Sequence, residues 1–382
     1  MAAAVSAETQ SGDLDAERHR REMPLYPTSD SSSLTPEQLA RLDDTFFASN
    51  PASYWRARID DLLREPTPID YRSALAAQVT GYGLDESLLS MTAPTEAERE
   101  LQRALDAFAL RHHLAESLLR LVHAVITGWN TPGSNIWVSL TSNRDSGYEL
   151  VKELRDFAGQ GEVPANLFMP AADVKALAED PPSNVVSAIR MHWRWVQRAM
   201  RLLVGEGLEA SVGNNKLKHG LAVRAHDELR VNFMAESPAP DGSVRLSAIK
   251  SGSSIVDARA IEFLERLPGR HEHAGSWEIT VLNLRPAPLI AEALMLSTVW
   301  ASVFATAAAD RFVGPDEAKP RHPGLLLGPP PEAIVREVLG YRQALTVSTK
   351  TGTSRGLSVE TANGIVELKQ TAPGSTAIIV DD

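Results

Sequence analysis

The sequence predicts an α+β fold that is predominantly α: a helical bundle with a small antiparallel sheet and a C-terminal β-rich tail. Three observations lead there. Apolar residues recur at helical spacing, behind capping signals, through about residue 220. From about residue 221 the pattern turns to alternation of apolar and polar side chains. The tail is cut into short strand-like runs by turn residues.

Residues 1–34 open with Ala and Ser and close on a mixed-charge block, without a basic segment followed by an apolar run, so they read as a disordered leader and not as a signal peptide. Thr35-Pro36-Glu37-Gln38 combines a cap, a proline suited to the first helical position and the Gln of a capping box, and the helical bundle of 35–220 starts there. Helical patterning continues over 54–65, ended by Pro66 and Pro68, and over 71–79. The longest predicted helix, 95–127, opens on the capping box Thr95-Glu96-Ala97-Glu98 and closes at Gly128. Two adjacent apolar stripes, Leu114-Leu118-Leu121-Val125 and Ala115-Leu119-Val122-Ile126, mark its second half as buried.

A stretch rich in Gly, Pro, Asn and Ser follows, with a short strand-like or irregular patch at 136–140. Helices resume at 148–158, 171–178 and 184–204, the last capped by Ser183 or Asn184; its Met191, Trp193, Trp195 and Met200 read as packing residues. The segment 221–313 reads as a small sheet plus a returning helix packed on the bundle. Strands are predicted at 229–234, 243–250 and 276–284, the first two joined by the turn residues Asp241-Gly242, with a helix at 254–267 and an apolar helix at 289–312. Within that last helix 293–309 carries no charge, but its Ala, Ser and Thr content and the flanking Glu292 and Asp310-Arg311 favour a buried core helix over a membrane span. Residues 314–331 form a Pro-rich linker or wrapping segment, and 332–382 hold a helix at 332–341 and strands at 356–360, 364–370 and 376–380.

With no cysteine in the chain, disulfides, thiolate metal sites and cysteine nucleophiles are excluded. The net charge of −11 argues against a broad basic nucleic-acid face. No glycine-rich phosphate loop, Gly-x-Ser-x-Gly elbow or His-Glu-x-x-His helix is present, and the remaining histidines lack ligand spacing, so no cofactor and no metal is expected.

Two polar constellations stand out. On the long helix, His112, Glu116 and Arg120 are spaced i, i+4, i+8, and His113, Glu116, Arg120 and His123 step by three and four, which together with Arg111 places a polar stripe on one helical face. A carboxylate between imidazoles and a guanidinium suits holding a metal, tuning a general base or binding an anion, but a solvated face or structural ion-pair cluster is the favoured reading. The second is the run Gly213-Asn214-Asn215-Lys216-Leu217-Lys218-His219-Gly220. It resembles the Arg-Asn-x-x-x-His signature of HEPN domains, helical bundles, often dimeric, that support metal-independent RNA cleavage. The resemblance implies RNA as partner, a homodimer as assembly, and Asn215 and His219 as the matching catalytic residues, with Lys216 beside them. Asn214 stands where the family pattern has Arg; an amide cannot supply the fixed cationic fork that matches phosphate, and Lys216 or Lys218 is the available substitute. The same lysines and His219 also suit a helix C-terminus, where cations meet the helix dipole.

The sequence therefore supports a cytoplasmic, non-catalytic helical interaction or regulatory protein of unnamed partner first. An HEPN-like RNA-binding or ribonuclease factor of bacterial defence or toxin type is the alternative. A basic concave patch of Arg111, Arg120, Lys216 and Lys218 favours the second; their dispersal favours the first.

Overall fold

The computed structural model describes residues 34–64, 81, 95–131, 134–142, 146–158, 165–176, 182–204, 210–219, 223–233, 253–266, 277–325, 327–335, 338–345, 357–361 and 364–368. The expectations for the leader, for 71–79, 243–250 and 376–380, and for the Asp241-Gly242 turn lie outside these residues.

The predicted α+β, predominantly α architecture is what the chain adopts. Helices α1 (Pro36–Ala48), α2 (Ala52–Leu63), α3 (Glu96–Asn130), α4 (Ile136–Ser142), α5 (Gly147–Ala158), α6 (Ala171–Ala176), α7 (Ser183–Leu203) and α8 (Ala210–Lys218) precede the first strand. Strands β1 (Arg224–Phe233), β2 (Ser253–Arg266) and β3 (Trp277–Asn283) follow, then α9 (Pro286–Arg311), the short α10 (Pro331–Ile334), and β4 (Val338–Ala344), β5 (Leu357–Thr361) and β6 (Gly364–Leu368).

Both predicted capping boxes form. Thr35 Oγ1 accepts from Gln38 N while Thr35 N donates to Gln38 Oε1, and Thr95 and Glu98 exchange the same pair at the start of α3. The start of α7 differs from expectation: Pro182 occupies the cap position without a side-chain hydrogen bond, and Ser183 and Asn184 lie inside the helix.

The core is organised around α3 and α9, which pack along each other with α1, α2 and α7 against them. Among the described residues α9 is the one helix long and apolar enough to cross a membrane, and most of it is buried inside the fold, as the sequence reading expects of a core helix. Phe304 of α9 meets Phe46 and Phe47 of α1 at centroid distances of 5.4 and 5.2 Å and stacks on Trp300 at 4.9 Å. Trp300 satisfies its indole N–H on Ser117 Oγ of α3 at 3.0 Å, as a buried Trp requires.

Three local assignments are corrected, each by partners distant in sequence or by a cap. Residues 136–140 are not a strand but part of α4. Asn135 Oδ1 accepts from Val138 N at 2.8 Å, its Nδ2 donates to Leu39 O at 2.6 Å, and Asp43 Oδ1 accepts from Ile136 N at 3.2 Å, so α4 is capped and tied to α1. Where a helix is predicted at 254–267, residues 254–266 belong to β2, bonded on both sides, to β1 and β3. Its Ala, Glu and Leu content is overruled because Val256 and Ala260 bury on one apolar cluster and Ile261 and Phe263 on another. Where a helix is predicted at 332–341, residues 332–334 end the short α10 and 338–341 belong to β4, which is bonded between β3 and β5.

The pairing of β3 with β4 makes one six-stranded antiparallel meander in the order β1-β2-β3-β4-β5-β6, so the C-terminal strands extend the central sheet. Its helix-facing side carries Ile261, Phe263 and Leu282 into the main core. Farther along, Glu265, Thr280, Glu278 and Arg342 form a buried polar seam, with Thr280 Oγ1 donating to Glu265 at 2.9 Å and Arg342 Nε 3.4 Å from Glu278. The Pro-rich stretch wraps the bundle. His322 Nε2 donates to Phe168 O at 2.8 Å, Trp195 Nε1 donates to Pro329 O at 3.1 Å, and Asp44 accepts from Val313 N at 2.8 Å.

Inside the helical core sits an ion centre. Glu292 of α9 is 1% exposed and accepts from Arg111 Nη1 of α3 at 2.9 Å and from Arg198 Nε of α7 at 2.7 Å. Burial pushes this carboxyl up, but the two guanidiniums outweigh it and leave it below the ordinary glutamate value. Glu292→Ala removes the carboxylate that two guanidiniums share inside the core and is expected to cost about 3–5 kcal/mol in urea unfolding, whereas replacing all three residues by Leu leaves stability near the parent value.

Gly213 brings α8 onto the sheet. A Cβ at this position would stand 2.9 Å from Phe263 Cε1 and 3.1 Å from Leu282 Cδ1, closer than van der Waals contact allows. Gly213→Val is therefore expected to lower stability by about 1–3 kcal/mol and to shift the α8 amide resonances, read by urea titration and NMR.

Candidate functional site

The two polar constellations meet. A pocket of about 370 Å³ opens where α3, the first residues of α5, the end of α7 and α8 converge, lined by His112, Glu116, Gly147, Tyr148, Leu203, Val204, Ser211, Asn214 and Asn215. Its floor is α3, which presents His112 and Glu116 one turn apart. Its wall is α8, held at that distance by the close approach of Gly213 to the sheet.

The stripe on α3 is not one solvent-facing row. Arg111 and His112 turn inward, at 6% and 2% exposure, while His113, Glu116 and Arg120 are half-buried. Arg111 belongs to the Glu292 centre. His112 holds Nδ1 3.1 Å from Phe108 O, which accepts the Nδ1 hydrogen, and its ring lies 4.6 Å from the Phe108 ring. Burial, then the neighbouring Arg111, drive His112 well below the ordinary imidazole range, with Arg198 and His113 adding to the effect and the Phe108 carbonyl opposing it. His113 is lowered too, first by burial and then by Lys218 and Arg58, which places Lys218 of α8 near it; Glu116 acts the other way. Glu116 accepts from Arg120 Nε at 3.0 Å, and the stripe ends on His123, whose Nε2 is 2.6 Å from Glu153 of α5.

On α8, Asn214 and Asn215 line the pocket, Lys216 is half-buried, and Lys218 and His219 are exposed. His219 N donates to Asn215 O at 2.9 Å and closes the last turn. Of the three residues proposed for RNA cleavage, Asn215 lines the pocket, while Lys216 and His219 stand outside its lining. Among the described residues no group of three or more His, Asp or Glu is placed to hold a metal ion.

Sequence reasoning missed four contributors. Glu292 had a readable signal, the one carboxylate among the apolar residues 286–309, which burial obliges to find cations. Arg198, Ser211 and Tyr148 had none, because their neighbours come from other helices. No protein-family model, curated protein or solved structure matches this chain.

As pH falls below the ordinary imidazole value of 6.5, the unfolded chain takes up a proton that folded His112 refuses. Stability is thus complete above that value and declines below it. His192 and His113 are lowered as well and contribute in the same sense. His112→Gln is expected to flatten, not abolish, the decline between about pH 8 and about pH 5, measured as urea midpoints at each pH.

Proposed function

We propose that this chain is a non-catalytic helical interaction or regulatory protein of the cytoplasm, and that its polar pocket binds without cleaving. The observation that carries this reading is the fate of the cations. Arg111, which a phosphate-binding surface would use, faces Glu292 inside the core, and Arg120 is joined to Glu116. Two of the four cations of the basic patch that RNA cleavage calls for are thus taken up, one in the core and one on the rim. Without a guanidinium at position 214, the transition-state charge of phosphoryl transfer has no fixed cationic fork to meet it.

The competing reading, an HEPN-like ribonuclease acting through Asn215, Lys216 and His219, draws support from Asn215 in the pocket wall and His219 one turn on. A panel of structured and single-stranded RNAs, incubated with wild-type protein and His219→Ala with and without chelator, separates the two. No cleavage by either protein is expected. Metal-independent cleavage that disappears in His219→Ala would reverse the assignment and give His219 the catalytic role.

A further inference from the structure

His112 holds the information about what the pocket binds. Its Nδ1 hydrogen is committed to Phe108 O, so Nε2 presents a lone pair. That Nε2 is buried and, among the described residues, has no hydrogen-bond partner, although the ring lines an open pocket. A buried acceptor left unmatched is costly, and a donor arriving from the pocket removes that cost.

The charge of such a visitor follows from what stands behind the ring. Two guanidiniums, Arg111 and Arg198, face one carboxylate, Glu292, behind the ring, while Glu116, the carboxylate in the pocket lining, is joined to Arg120, so the field at His112 is that of the two guanidiniums. It opposes a cationic ligand near His112. An anionic oxygen fares no better at Nε2, because there it meets a lone pair instead of a hydrogen. What remains is an uncharged donor, and a hydroxyl is the simplest. The other walls match hydroxyls as well: Ser211 offers an O–H, and Asn214 and Asn215 offer carboxamides, each able to donate and accept. Tyr148, 65% exposed, adds an aromatic edge to the mouth. At about 370 Å³ the space lies near the lower end of the ~300–1,000 Å³ typical of small-molecule pockets, which suits a single ring.

We propose that the pocket binds a small, uncharged, hydroxyl-rich molecule of single-ring size, a monosaccharide or cyclic polyol, with one hydroxyl donating to His112 Nε2. The proposal rests on the binding-without-cleavage reading above and names its ligand class.

The test uses the full chain, labelled with ¹⁵N in its histidines and titrated to millimolar concentration with D-ribose, myo-inositol and ribose 5-phosphate. The expected result is a saturable shift of the His112 ring nitrogen signal with at least one neutral probe. That binding should weaken by about tenfold in Ser211→Ala or Asn214→Ala, substitutions at the pocket wall that leave the core ion centre intact. A saturable response to ribose 5-phosphate alone overturns the neutral class. So does the absence of a His112 response to all three probes in a folded protein that leaves RNA intact. Cleavage of RNA without any probe response overturns the binding-only reading itself, and the two failures are thereby told apart.

Discussion

The contact of one carboxylate with two guanidiniums, Glu292 with Arg111 and Arg198, sets the arrangement of everything around it. It joins α9, α3 and α7, the three longest helices among the described residues, with the Arg111 guanidinium lying over the Phe108 ring. Hydrophobic packing alone tolerates sliding of one helix along another, whereas a buried carboxylate tolerates almost none, because each of its oxygens must keep a cation or bear the cost of desolvation. The register of α3 against α9 is thereby pinned, and with it the position of every side chain one residue away from Arg111.

His112 is that next residue. Facing Arg111 into the ion centre places His112 against Phe108 and under the pocket, and the charge of Arg111 adds to burial in keeping its ring neutral. The character of the proposed binding site, neutral and hydrogen-bond accepting at its deepest point, thus derives from a structural ion centre on the far side of the same helical turn. The second wall has a different origin. The approach of α8 depends on the missing side chain at Gly213, which lets Phe263 and Leu282 of the sheet close against the helix backbone. In the run from Gly213 to His219, then, the glycine serves packing and the two asparagines serve the pocket. Lys216 and Lys218 stand in the last turn of the helix, the end at which cations suit the helix dipole.

The sheet follows another logic. A strand such as β2 has a composition that suits a helix, yet two neighbours bond its backbone and both of its faces find apolar partners. Once β2 is extended, β3 and β4 can continue the meander, and the C-terminal strands join the central sheet instead of forming a unit of their own.

Sequence by itself determined the class of the fold, the helices from α1 to α9 in outline with α4 and the start of α8 excepted, the two capping boxes, the buried nature of α9, and strands β1, β3, β5 and β6. These depend on periodicity and on caps, interactions that span a few residues and leave their mark in the local pattern. It also marked the two polar runs that line the pocket. What only the tertiary structure decided was the state of α4, β2 and β4, the inward turn of Arg111 and His112, and the identity of Arg198, Ser211 and Tyr148 as their neighbours. In each case the deciding partner lies on another element, as with Asp43 holding Ile136 and Arg198 meeting Glu292, or β1 flanking β2. A hydrogen bond or ion pair across ninety residues imposes no spacing on the chain, so it becomes visible only when the elements are packed.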